Sequence, residues 1–185
     1  MSPPFASAVA LVGFLALEVV LRRGPAGRAV QPRASDRGTT TTLLLAYALA
    51  ILALGVGGML GPQWPANWQW GGVVLSVLGL LLRSWAMRTL GEFFTRTLLL
   101  AEDQRLIQSG PYARVRHPGY LGSLLLWSGA AAASGSVLAT VFVVGLLLLA
   151  YRTRIAAEER MLEAEFHSQY STYKQRSWRL LPFIY

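Results

Sequence analysis

Five apolar blocks separated by polar connections organise the chain. They cover about Phe5 to Leu21, Thr42 to Leu60, Gln69 to Leu90, Pro118 to Ala133 and Val137 to Tyr151. A helix crossing ~30 Å of hydrocarbon needs ~20 residues, and the first three blocks meet that length. The last two are shorter and are joined only by Ser134-Gly135-Ser136, which predicts a helical hairpin through the bilayer. Beyond Tyr151 the pattern becomes periodic. Ile155, Met161, Leu162, Phe166, Tyr170 and Tyr173 recur at helical spacing with charges between them. That predicts an amphipathic segment lying on the membrane surface or folded back over the bundle. The expected fold class is an all-α integral membrane protein of about five transmembrane helices.

The connections set an expected orientation. The first, RRGPAGRAVQPRASDRG, carries Arg22, Arg23, Arg28, Arg33 and Arg37 against Asp36. The second, GPQWPANWQW, is uncharged and rich in tryptophan, as suits the opposite interface. Cations return in the third, from Gly91 to His117, at Arg96, Arg105, Arg114 and Arg116. The turn at 134–136 is neutral and the tail is charged again. Alternation puts the N-terminus outside and the C-terminus in the cytoplasm, with every cationic segment inside. The corresponding membrane is the cell inner membrane in a prokaryote or the endoplasmic reticulum in a eukaryote. The N-terminal block has no basic residue before it and reads as a retained first span, not a cleaved signal. Two regions are expected: a three-span region over 1–90, and 91–185, comprising the loop, the hairpin and the tail.

Charge and composition narrow the chemistry. Lysine and arginine number 17 against 9 acidic residues, a net charge of +8. With the cations placed between apolar blocks, anionic lipid is the expected partner, and no basic stripe or motif points to nucleic acid. The absence of cysteine excludes disulfides, a thiolate nucleophile and cysteine-ligated metal. Two histidines, His117 and His167, leave no expected metal site.

Several polar groups lie at block ends. Glu18 and Arg22 are spaced for an i,i+4 pair at the interface. Arg83 and Arg88, in the last turns of the third block, are expected to snorkel to the headgroups, the alternative being that they line a cytoplasm-facing cavity. Arg154 and Glu158 share one helix face. The densest cluster is SGPYARVRHPGYLG, Ser109 to Gly122. Pro118 suits the first turn of a helix, which puts His117 at the N-cap. Gly119 and Gly122 allow close approach of a backbone or a ligand. A helix N-terminus beside Arg114 and Arg116 suits an anionic group. An interfacial anchor would need the arginines and tyrosines, but not the Gly-Pro, the His-Pro and the spaced glycines.

These residues carry a resemblance. GPYARVRHPGYLG, followed one hairpin later by RTRIAAEERML and then by FHSQYSTYKQRSWRLLPFI, resembles the isoprenylcysteine carboxyl methyltransferase family, with phospholipid N-methyltransferases as more distant kin. The shared pattern is ordered: Arg-His-Pro-x-Tyr-x-Gly opening a span, an acidic pair after the next span, and a Tyr-x-x-Tyr tail ending in Leu-Pro-Phe. LGEFFTRT also resembles the family's Leu-Gly-x-x-Phe segment. The likeness runs from Leu90 to Ile184. It implies a methyltransferase that binds S-adenosyl-L-methionine on the cytoplasmic face, between loop, hairpin and tail. At matching positions it implies donor contacts by Gln104, Arg105, Leu106, Ile107, Tyr112, His117, Pro118, Gly119 and Tyr120. It implies that Glu158 binds a polar end of the donor, with Glu159 the near alternative. Arg154 is the implied acceptor-binding and catalytic residue.

The physical chemistry fits this implication. Methyl transfer from a sulfonium is an in-line displacement that needs no metal and no nucleophilic side chain. Orientation alone can supply about 7–11 kcal/mol. A carboxylate acceptor could be held by Arg154 through a two-pronged hydrogen bond. An amine or thiol would first have to lose a proton, with His117 or Glu158 nearby to take it. A site at the bilayer surface would admit a polar donor from water and a lipophilic or lipid-modified acceptor from the membrane. The rival readings are a phospholipid, amine or thiol methyltransferase, a membrane reductase lacking a visible Gly-rich fingerprint, and a non-catalytic scaffold or small transporter.

Overall fold

The structure is a computed structural model that describes residues 2–20, 38–57, 59, 61–91 and 105–182. Gln104, the side chain of Glu18 and the terminal 183–185 segment lie outside the described residues. The helices are α1 (Pro3–Val20), α2 (Thr39–Gly57), α3 (Ala66–Leu90), α4 (Pro118–Ala133) and α5 (Val137–Gln175), with a 3-10 turn at Gly110–Ala113 leading into α4. Each apolar block of the sequence is one of these helices. The protein is an all-α membrane protein in which α2, α3 and α5 are long and apolar enough to cross a bilayer.

The 16-residue α4 is the central element. It packs along α3 with backbones nearly touching. A methyl group built at Gly79 would lie 2.3 Å from the Leu126 nitrogen, and one at Gly129 would lie 2.5 Å from the Gly72 oxygen. Gly72 and Gly79 are spaced by seven residues, as are Gly122 and Gly129, so the small residues of each helix recur on one stripe. Inside lipid, where no hydrophobic force drives helices together, close van der Waals contact of this kind holds them. The Ser76 hydroxyl, fully buried, adds a hydrogen bond to the Leu126 carbonyl at 3.0 Å. Around α4, Phe14 of α1, Tyr47 of α2 and Trp127 of α4 form an aromatic cluster, with Tyr47 stacked on Trp127 at 5.2 Å. The Tyr47 and Tyr151 hydroxyls meet at 3.1 Å and tie α2 to α5.

The two uncharged connections meet at one end of the bundle. Val137 N donates to the Pro62 carbonyl and Trp64 N to the Gly135 carbonyl. The turn there needs Gly135, whose φ is 96°. Ser136 caps α5 by accepting from Ala139 N at 3.1 Å. At the other end lie the start of α2, the 3-10 turn, the start of α4 and the tail.

The apolar part of the fifth block ends near Tyr151, but the helix continues, as the helical spacing of the tail suggests. From Arg152 to Phe166 the chain contains no glycine or proline and is rich in Ala, Glu and Arg, so the helix propagates out of its apolar part, and beyond a kink a second helical stretch continues to Gln175. The kink is at His167, with φ 43° and ψ −118°. Arg154, Glu158 and Glu159 therefore hang from a rigid extension of a membrane helix. One expectation is corrected: Arg83 does not snorkel. It is 8% exposed, its Nη1 donates to the Gly119 carbonyl at 3.0 Å, and its guanidinium lies 5.7 Å from the Phe14 ring centre. A carbonyl at the first turn of α4, together with an aromatic face, offers this cation partners inside the bundle.

Candidate active site

Local backbone chemistry places the first group. His117 precedes a proline and is held out of the helical region at φ −125°, ψ 55°. Its carbonyl accepts from Tyr120 N and Leu121 N, each at 3.1 Å, and so opens α4. The His117 ring is thereby turned inward, with the residue 3% exposed. Tyr120, one turn on, faces the extension of α5.

There the groups converge. The Tyr120 hydroxyl donates to Glu158 Oε2 at 2.8 Å and accepts from Arg154 Nε at 3.2 Å. Arg154 is 2% exposed, and its Nη1 donates to the hydroxyls of Thr39 at 2.9 Å and Thr40 at 3.0 Å. The His117 ring lies between two carboxylates. Its Nδ1 is 3.8 Å from Glu158 Oε1, and its Nε2 is 3.4 Å from Glu159 Oε1.

The two glutamates are adjacent in sequence but differ in surroundings. The Glu159 side chain is 3% exposed, whereas that of Glu158 is 28% exposed. Glu159 accepts from Arg116 Nε at 2.9 Å and from Arg179 Nε at 2.8 Å, with a second contact to Arg179 Nη2. Burial by itself would raise its carboxyl pKa. Hydrogen bonds from His117, Arg179 and Arg116 outweigh that and hold it well below the ordinary carboxylate range. Glu159 is thus the centre of a clamp between the lead-in to α4 and the tail, while Glu158 faces the accessible side.

The clamp extends through the backbone. Arg116 N donates to the Trp178 carbonyl at 2.8 Å and Trp178 N to the Arg114 carbonyl at 2.9 Å. Arg116 Nη1 also donates to the Lys174 carbonyl at 3.2 Å and to the Ser177 carbonyl. Tyr173 donates its hydroxyl to the Tyr112 carbonyl at 2.6 Å. Burial pushes the Tyr173 phenol up to about 12 and raises that of Tyr112 as well.

Of the residues singled out in the sequence, His117, Pro118, Gly119, Tyr120, Arg154, Glu158 and Glu159 surround one locus, and Tyr112 borders it through the tail. Arg105 is exposed, and Leu106 and Ile107 are half-buried in the segment that leads to the 3-10 turn. Sequence reasoning did not find Thr39, Thr40 or Arg179. Thr39 and Thr40 precede the second apolar block, which begins at about Thr42. Polar hydroxyl residues opening a helix were the available signal.

The model of the isoprenylcysteine carboxyl methyltransferase family matches residues 72–164. A probable protein-S-isoprenylcysteine O-methyltransferase of Oryza sativa subsp. indica is 32% identical over 188 residues, covering 96% of this chain and 94% of the relative. The chain belongs to the isoprenylcysteine carboxyl methyltransferase family. Arabidopsis thaliana protein-S-isoprenylcysteine O-methyltransferase B is 28% identical over 84% of each chain. The Saccharomyces cerevisiae protein-S-isoprenylcysteine O-methyltransferase is 31% identical, over 61% of this chain and 48% of the relative. A solved structure of the eukaryotic intramembrane Ras methyltransferase ICMT superposes with a TM-score of 0.69 at 24% identity. It has the same fold, and the match takes in 96% of this chain but 63% of that one. The family match takes in α4, the 3-10 turn and most of α3, together with the part of α5 that carries Arg154, Glu158 and Glu159. Thr39 and Thr40 lie outside it.

Proposed function

We propose that this protein transfers a methyl group from S-adenosyl-L-methionine to the carboxylate of an S-isoprenylated cysteine terminus at the membrane surface. The observation that carries the reading is the single Tyr120 hydroxyl bonded on one side to Glu158 and on the other to Arg154. A carboxylate suited to a cationic donor and a guanidinium suited to an anionic acceptor are thereby held one phenol apart. The names of the rice and yeast relatives support the same acceptor class.

The residues fit the donor. Glu158 is a partly exposed carboxylate that can take an ammonium group, and His117 and Tyr120 wall it on the α4 side. Tyr112 and the 105–107 segment are assigned to the remaining wall. When bound, the donor supplies an electrophilic methyl on a sulfonium. Arg154 binds and aligns the acceptor carboxylate, leaving one oxygen to attack along the line of the departing sulfur. A carboxylate carries no proton to remove, so neither His117 nor Glu158 has to act as a base. Burial of Arg154 and His117 excludes water and strengthens the charge interactions that orient the reactants. The site is assigned to the cytoplasmic end, with the N-terminus outside, because of the alternation of cationic and neutral connections along the sequence.

The test uses the full chain in detergent or vesicles with methyl-labelled S-adenosyl-L-methionine. The acceptors offered are prenylcysteine analogues, phosphatidylethanolamine, amines and thiols. Transfer to the prenylcysteine, with label released as methanol in alkali, is the expected result. Alkali-stable label on amine or thiol, with none on the carboxylate, overturns it.

A further inference from the structure

The start of α2 touches the site at one place. Thr39 and Thr40 sit in its first turn, 115 and 114 residues from Arg154, and both hydroxyls accept from the same guanidinium nitrogen. Arg154 Nη1 carries two hydrogens, and two threonine hydroxyls lie at 2.9 and 3.0 Å to receive them. The Nε hydrogen goes to Tyr120 at 3.2 Å. One edge of the fork and its root are thus braced by three hydroxyls from α2 and α4. These oxygens are neutral acceptors that orient the guanidinium.

We infer that Thr39 and Thr40 are positioning residues that aim Arg154 at the acceptor carboxylate, and that this N-terminal part of the chain therefore sets acceptor affinity. The inference rests on the proposed carboxyl methylation. Arginine has long side-chain freedom, and a planar guanidinium directs its N–H groups at an acceptor only when its plane is fixed. Tyr120 alone fixes one point of that plane. The threonine pair fixes a second and restrains rotation of the plane about the Cδ–Nε bond. Since Glu158 is held by Tyr120 and not by α2, donor binding does not depend on the threonines.

The experiment compares the full-length wild type with the Thr39→Val/Thr40→Val and Thr39→Ser/Thr40→Ser double variants. Acceptor KM and kcat are measured with a farnesylcysteine analogue, and donor affinity is measured by calorimetry with S-adenosyl-L-methionine. The valine pair keeps the volume and removes both hydroxyls. Its acceptor KM is expected to rise about tenfold, with donor Kd within about twofold of wild type. The serine pair restores the hydroxyls without the methyl groups and is expected to return KM to near the wild-type value. An unchanged KM in the valine pair overturns the inference, as does a serine pair as impaired as the valine pair, which would mark a packing role. Equal losses of donor and acceptor affinity also overturn it. A wild-type protein that binds donor but never methylates the farnesylcysteine overturns the parent reading, and this one with it.

Discussion

Arg116 donates through Nε to Glu159 Oε1 at 2.9 Å, and the two side chains are only 9% and 3% exposed. The arginine comes from the lead-in to α4 and the glutamate from the extension of α5. Arg179 reaches the same carboxylate from the tail, and His117 approaches it at 3.4 Å. Removing one member leaves the others as buried charge without its partner, which is where such clamps are costly.

Glu159→Gln is therefore expected to lower folding stability by about 3 kcal/mol, the scale of a broken buried pair. Thermal unfolding of the detergent-solubilised protein reads this directly. A midpoint equal to wild type would show that the clamp contributes nothing net.

The same carboxyl predicts an acid limb. Its folded-state pKa lies below its unfolded value, so its contribution is complete at neutral pH. That contribution disappears as pH falls through the unfolded value toward the folded one. Unfolding midpoints measured from pH 7 down to about pH 3 should fall more steeply in wild type than in Glu159→Gln. At the alkaline end the Tyr173 phenol, pushed up to about 12, has the opposite sign. Burial favours its neutral form, so this contribution is complete below the ordinary tyrosine value and is lost as pH climbs toward the folded one.

Glu158 and Arg154 should separate by ligand. Glu158→Gln is expected to weaken S-adenosyl-L-methionine binding at least about tenfold, because a charged partner becomes neutral. Arg154→Ala should abolish transfer while leaving donor binding largely intact. Calorimetry with donor, alongside acceptor kinetics, distinguishes the two. Identical defects in both variants would merge the two half-sites into one.

Tyr120→Phe deletes the hydroxyl that serves both. Its kcat/KM is expected to fall by roughly tenfold with the unfolding midpoint nearly unchanged. Wild-type turnover in this variant would remove the link between Glu158 and Arg154 from the mechanism.

Gly79→Ala tests the α3–α4 contact. The added methyl meets the Leu126 nitrogen at 2.3 Å, which is backbone and cannot swing aside. Separation of the helices is expected to cost on the order of 1–3 kcal/mol in thermal unfolding. Gly71→Ala, where a methyl meets nothing within 4 Å, is the matched control and should be near neutral.

Much of this protein was legible along the chain because the relevant physics is local. Apolar runs of membrane-crossing length form helices wherever they occur, and a proline after His117 starts one. The helix boundaries at Pro118 and Ala133 coincide with those of the fourth apolar block. The resemblance to the methyltransferase family implied a shared locus for His117, Tyr120, Arg154 and the acidic pair. What the tertiary structure alone decided is which neighbour each polar group meets. Glu158 and Glu159 are chemically identical, but successive residues point about 100° apart around a helix. That rotation gives one to Tyr120 and the accessible side, and the other to Arg116, His117 and Arg179. Arg83 turns inward because Gly119 lets its carbonyl come close, and Arg154 finds Thr39 and Thr40 because α2 packs on α5. A one-dimensional pattern specifies periodicity and charge. Partners more than a hundred residues apart are set by how helix faces register once they pack.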